Sequence, residues 1–343
     1  MKIPRLFIPS LILAATLLGC ETMPTQEKTT SGTVPLQPIK VAENKAEIEA
    51  LVEKAEKGDV IAQHNLGVMY ASGRGVTKDE VEAVKWFRKA ADQGHAVAQF
   101  NLGTMYYNGQ GVTKDEVEAV KWYRKAADQG HASGQLRLGQ MYYNGQGVAK
   151  DEVEAMKWGL KAADQGNAIA QANVGQLYRE GRGVTKDGVE AVKWFRKSAD
   201  QGHVVAQLNL GEMYRFGQGV TKDGAEAVKW FRKSADQGNT SGQFSLGQMY
   251  RNGQGVTQDD VEAVKWYRKA ADQGHASGQL GLGQMYYFGE GVAKDKVEAY
   301  KWFLLAGAQG HELAEKSIAA TEKTLTPGQR TEAQKRAREF KKK

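Results

Sequence analysis

Residues 94–130 read GHAVAQFNLGTMYYNGQGVTKDEVEAVKWYRKAADQG. Ala98, Leu102, Met105 and Tyr106 fall at i, i+4, i+7 and i+8, which predicts an amphipathic helix from about His95 to Tyr107. Asn108-Gly109-Gln110-Gly111 breaks it, because glycine accepts the left-handed conformation just past a helix end. Asp115 suits the N-cap of a second helix, and Glu118 three positions on makes a capping-box-like pattern. That helix runs to about Gln129, with Ala119, Trp122, Tyr123, Ala126 and Ala127 on its apolar face, and Gly130 stops it. The product is a helix–turn–helix whose apolar face cannot be buried alone.

The phrase recurs. Trp86, Trp122, Trp158, Trp194, Trp230, Trp266 and Trp302 stand 36 residues apart and are all the tryptophans of the chain. Gly94, Gly130, Gly166, Gly202, Gly238, Gly274 and Gly310 keep the same step. Seven units fit between Gly58 and Gln309 without insertion, the signature of a solenoid in which each unit covers its neighbour. The Gly109-x-Gly111 loop could cradle a phosphate at a helix start. No strand precedes it, however, and it recurs in every unit, so it reads as a structural turn. Gly103 and its equivalents, mid-helix, let helices approach closely at a propensity cost of ~1 kcal/mol.

Leu102-Gly103, Tyr106, Gly109-x-Gly111-Val112, Asp115, Ala119, Trp122-Tyr123, Ala126-Ala127 and Gly130 resemble the Sel-1-like repeat, a relative of the tetratricopeptide repeat. The resemblance spans residues 58–309 and implies an all-α fold, an α-α superhelical solenoid serving as a scaffold. Some envelope members of that family join the helices of each repeat by a disulfide, whereas the single cysteine here, Cys20, lies outside the repeats.

The ends read differently. Lys2 and Arg5 precede an apolar run, Leu6 to Leu18, too short for the ~20 residues of a membrane span. With Leu17-Leu18-Gly19-Cys20 it resembles a bacterial lipoprotein signal, with Cys20 as the lipidation site. The expected organisation is a signal peptide at 1–20, a disordered tether at 21–41, an N-terminal capping helix at 42–57, repeats at 58–309, and a helical cap with a basic tail at 310–343. A tether of that composition reaches roughly 25 Å. All six prolines avoid the repeats. Thr326-Pro327-Gly328-Gln329 predicts a capped final helix. Removing the signal lowers the formal charge of +7 by two, and Lys335, Arg336, Arg338 and Lys341 to Lys343 hold much of the rest. A secreted chain makes nucleic acid a poor partner.

Five histidines, His95, His131, His203, His275 and His311, follow the repeat-ending glycine. Equivalent positions in neighbouring repeats lie at least ~8–10 Å apart, too far to share a metal. His64 stands alone and reads as surface. Neither Ser-x-x-Lys nor His-Glu-x-x-His occurs, and no catalytic residue, metal or cofactor is expected. On the first helix, the side away from the core holds the equivalents of Val97, Phe100, Thr104 and Tyr107. The last of these columns runs Ala71, Tyr107, Tyr143, Arg179, Arg215, Arg251, Tyr287, and Tyr and Arg are enriched at binding hot spots. It is the expected partner-binding face, its arginines free for an acidic or extended segment. The column His64, Phe100, Leu136, Ala172, Leu208, Phe244, Leu280 is either part of that face or packing between first helices. The expectation is therefore a monomeric, non-catalytic scaffold in a bacterial envelope, lipid-anchored, with the outer membrane favoured because Glu21, not Asp, follows Cys20. An enzyme acting on peptidoglycan or β-lactams, and a surface adhesin, are the alternatives.

Overall fold

A computed structural model describes residues 45–342, so the expected signal peptide, Cys20 and the tether lie outside the described residues. The described chain holds seventeen α-helices and no strand. Helix α1 (Lys45–Glu56) precedes seven helix pairs: α2 (Val60–Ser72) with α3 (Glu80–Asp92), α4 (Ala96–Asn108) with α5 (Glu116–Asp128), α6 (Ala132–Asn144) with α7 (Glu152–Asp164), α8 (Ala168–Glu180) with α9 (Gly188–Asp200), α10 (Val204–Phe216) with α11 (Gly224–Asp236), α12 (Thr240–Asn252) with α13 (Asp260–Asp272), and α14 (Ala276–Phe288) with α15 (Lys296–Gly307). Helices α16 (Glu312–Glu322) and α17 (Pro327–Arg338) close the array.

The local chemistry sets each boundary. Asp115 Oδ1 accepts from the Glu118 amide at 2.9 Å, and Gly109, at φ 70°, ends α4 in the left-handed region. The Asp115 amide also donates to the Tyr106 carbonyl at 2.9 Å, which ties the start of one helix to the end of the other. Thr326 and Gln329 form the expected capping box, with Pro327 in the first turn.

Stacking follows from two kinds of aromatic contact. Trp122 packs against Val84, Phe87 and Ala91 of the preceding α3 as well as Leu102 and Met105 of α4, so the tryptophans join repeats. Tyr123 lies over Gly103, where an added Cβ would stand 2.8 Å from the ring, so the second aromatic closes this pair from within. The mid-helix glycine thus exists for close approach. Gly111, at φ 63°, rests on the Glu80 carbonyl of the preceding repeat, where any Cβ would overlap the backbone. The Gly-x-Gly loop is therefore a turn at its first glycine and an inter-repeat contact at its second.

A buried glutamine ladder runs through the core. Gln99 Nε2 donates to the Ala91 carbonyl at 3.1 Å, and its Oε1 accepts from Gln129 at 2.7 Å. Gln63, Gln135, Gln171, Gln207, Gln243 and Gln279 repeat the pattern with Gln93, Gln165, Gln201, Gln237, Gln273 and Gln309. Each pair satisfies polar groups whose burial would otherwise cost ~1–3 kcal/mol.

The third repeat lacks two of these joints. Gly159 stands where Tyr123 stands in its neighbour, so no ring covers Gly139. Leu160 replaces the arginine that, as Arg124 does with Tyr142, bonds a tyrosine hydroxyl of the next repeat. Hydrogen exchange is therefore expected to be fastest in α7 among the internal second helices. Uniform protection of those helices would refute this.

Candidate functional site

The face chosen from the sequence is the outer side of the first helices. Its Tyr/Arg column turns out to be a seam between repeats. Tyr107 OH accepts from Gln146 of the following loop at 3.3 Å, and Tyr143 OH accepts from Arg182, whose guanidinium lies 4.4 Å from the tyrosine ring centroid. Arg182 also pairs with Glu152 at 2.7 Å. Arg179 donates to Asn209 at 3.2 Å, Arg215 to Gln248 at 3.0 Å, and Arg251 to Gln284 at 2.8 Å. Arg251 further pairs with Glu290 at 3.0 Å. Tyr287 is half-buried and meets Phe288 edge to face at 5.1 Å.

The expected row of free arginines is thus corrected. Arg215 is only 8% exposed, and all three guanidinium groups bond side chains of the next repeat. The physical reason is that a first helix flanks its successor, so an outward residue reaches sideways to the neighbour before it reaches solvent. Glu212, 3% exposed, lies in the same lane; Ser245 Oγ donates to it at 3.4 Å, and burial raises its carboxyl above the usual range while Arg215 and Arg179 oppose the shift. Replacing Arg179, Arg215 and Arg251 together by Glu would accordingly lower stability, because each loses a buried charge-assisted bond.

Ile61, Ile169 and Val205, the equivalents of Val97, meet solvent on this face, and one exposed aromatic joins them. Phe216, the last residue of α10, is 50% exposed, with the Arg215 guanidinium 5.2 Å from its ring. The equivalent residues are Ser72, Asn108, Asn144, Glu180 and Asn252, with a second phenylalanine only at Phe288. Sequence reasoning passed over this column, although a phenylalanine where polar residues prevail was a visible signal.

The other column resolves as packing. Leu136, Ala172, Phe244 and Leu280 are buried, and Phe100 and Leu208 are half-buried. His64 heads this column and is not a surface residue: it is 6% exposed, its ring 4.8 Å from that of His95 and its Nε2 3.2 Å from the Asn101 amide nitrogen. Burial and the nearby His95 lower its pKa to about 4. Four of the repeat-ending histidines, His95, His131, His203 and His275, cap the following helix through Nδ1, His95 accepting from the Ala98 amide at 3.1 Å. Among the described residues, no group of three or more His, Cys, Asp or Glu is placed to hold a metal ion. The basic end folds back: Arg336 reaches Glu298 and Glu332, and Phe340 packs on Trp302 at 5.4 Å.

Comparison with known proteins agrees with this geometry. A Sel1 repeat model matches residues 60–95, 96–131, 132–167, 168–203, 204–239, 240–275 and 276–311. A Sel1 repeat protein from Oxalobacter formigenes is 36% identical over 80% of this chain and 80% of its own, with a TM-score of 0.66. The protective antigen c5321 of uropathogenic Escherichia coli strains, which displays an SLR fold, is 31% identical over 85% of this chain and 86% of its own, with a TM-score of 0.52. No curated protein matched. Seven consecutive matches, each holding one helix pair with its turn and caps, place this chain in the Sel1 repeat family.

Proposed function

We propose that this protein is a monomeric, non-catalytic scaffold of the bacterial cell envelope, anchored through a lipidated Cys20 on the periplasmic face of the outer membrane, which holds another envelope protein on its first-helix face. Sel1 arrays are a scaffold fold typical of protein–protein interaction. The observation that carries the reading is Phe216, a half-exposed ring in a lane otherwise lined by polar side chains engaged in hydrogen bonds. A large exposed aromatic within a polar rim is the usual composition of a hot spot. Tyr107, Tyr143 and Tyr287 flank it along the array, while Arg179, Arg215 and Arg251 tie each first helix to the next and so fix the spacing of that face.

Phe216→Ala should leave the melting temperature close to the parent, since half the ring is already in water. Crosslinking in intact envelopes followed by affinity capture should then recover the main partner at least ten-fold less well, as expected for a hot spot worth ~2 kcal/mol. Parental recovery would move the function off this face. Loss of membrane association in Cys20→Ser would test the anchor separately. The likeness to a protective antigen favours a second reading, exposure on the cell surface as an adhesin. Protease accessibility on intact cells separates the two.

A further inference from the structure

Each first helix begins with a side chain that accepts a hydrogen bond from the helix's own third residue. In four repeats that side chain is histidine. His95 Nδ1 accepts from Ala98, His131 from Gly134, His203 from Ala206 and His275 from Gly278, at 3.0–3.2 Å. In the others an oxygen does the same work: Asp59 for Ala62, Asn167 for Ala170 and Asn239 for Gly242, at 2.7–2.9 Å. An imidazole nitrogen that accepts a hydrogen bond cannot carry a proton. Once protonated it sets N–H against N–H and adds positive charge to the positive end of the helix. An amide oxygen has no such liability.

The surroundings sharpen the contrast. His95 packs on His64, His131 lies 5.0 Å from Phe100, and His275 lies 5.3 Å from Phe244. The charged or titratable groups acting on these rings are other histidines: His95 on both His64 and His131, and His311 on His275, while burial alone acts on His203. Around His64 the remaining polar neighbours are the neutral side chains of Asn65 and Asn101. His311 holds the cap position of α16, with Nδ1 buried and unbonded and Nε2 3.3 Å from Ser277 Oγ. Protonation of one ring therefore raises the cost of protonating the next.

We propose that the array is built to respond to acid helix by helix: the histidine-capped α4, α6, α10 and α14 loosen as pH falls, while the asparagine-capped α8 and α12 hold. The response rests on the caps and not on the proposed partner face, although those helices carry that face and loosening them would weaken whatever it holds.

Burial keeps the imidazoles below their usual 6.5, His275 to about 4. The folded-state pKa is thus the depressed one. The contribution is constant above pH ~6.5, is lost as pH falls through the interval down to ~4, and changes no further below that. For a ring displaced that far, the opening equilibrium shifts roughly thirty-fold between pH 7.5 and pH 5.

Native-state hydrogen exchange on the full chain at pH 7.5 and pH 5, normalised for intrinsic rates, tests this. Protection of α14 should fall roughly thirty-fold relative to α8 and α12, and that of α4, α6 and α10 should fall in the same direction. The variant carrying His95→Asn, His131→Asn, His203→Asn and His275→Asn should lose that difference, because asparagine already caps two repeats. Equal losses in all six helices, or an undiminished difference in the variant, would overturn the proposal. If the variant does not fold, NMR titration of the parent's imidazoles decides: values at or above 6.5 overturn it, values below 6.5 support it.

Discussion

Trp194→Ala is expected to cost ~3–5 kcal/mol and to split what would otherwise be a single melting transition. Trp194 is 7% exposed and packs against Leu136 of α6, Met156, Ala162 and Ala163 of α7, and Val174 and Leu177 of α8. Lys197 lays its ammonium 3.9 Å from the ring centroid, so the outer face of the indole is covered as well. These partners belong to two consecutive repeats, and alanine would leave a ring-sized void at their junction. Each repeat touches only its neighbours, so the junction cannot be repaired from elsewhere, and it adjoins the layer already weakened at Gly159 and Leu160. The helices before α7 and after α9 should then melt as separate units. Circular dichroism and calorimetry check this together: a variant that melts once, at the parental temperature, would mean that the tryptophan joins nothing.

The fold was legible because its causes are local and repeated. The spacing of Ala98, Leu102 and Met105, the glycine at 109 and the aspartate at 115 each act within one turn of chain, and seven copies average out any single ambiguity. What lay between repeats was not legible. Gln99 was not singled out in the sequence, yet it is buried, its amide meeting both a carbonyl of the repeat before and Gln129 of its own. His64 was misplaced for the same reason: it packs against Phe87, against His95 at the N-cap of α4, and against Asn101 within α4. The Tyr/Arg column was read as the outer side of the first helices, but a helical wheel has no neighbour on it. Arg215 therefore read as free although Gln248, 33 residues on, awaited it. The capping role of the histidines was missed because asparagine at 167 and 239 was never set beside them.

The glycines of the loop give the second large effect. Gly111→Ala is expected to destabilise the array by ~3–4 kcal/mol, and Gly130→Ala by only ~1–2 kcal/mol, although both residues have positive φ. The difference isolates one contact. A methyl at Gly130, φ 84°, meets nothing within 4 Å, so its cost is the left-handed backbone alone. A methyl at Gly111, φ 63°, enters the carbonyl of Glu80, which belongs to the backbone and cannot swing aside. The two repeats must move apart there, which also disturbs the seat of Trp122 on α3. The same approach recurs with Gly147 on Glu116, Gly183 on Glu152 and Gly291 on Asp260, and at Gly219 and Gly255 the facing residues are themselves glycines, Gly188 and Gly224. At these two junctions the backbones stand close, with Gly219 Cα 3.0 Å from a methyl built on Gly188 and Gly255 Cα 2.8 Å from one built on Gly224, whereas the equivalent positions at the other junctions carry Glu or Asp. Urea denaturation of the two alanine variants measures the difference. Equal midpoints for Gly111→Ala and Gly130→Ala would show that the loop only turns the chain and that the repeats are held together by their aromatic and glutamine contacts alone.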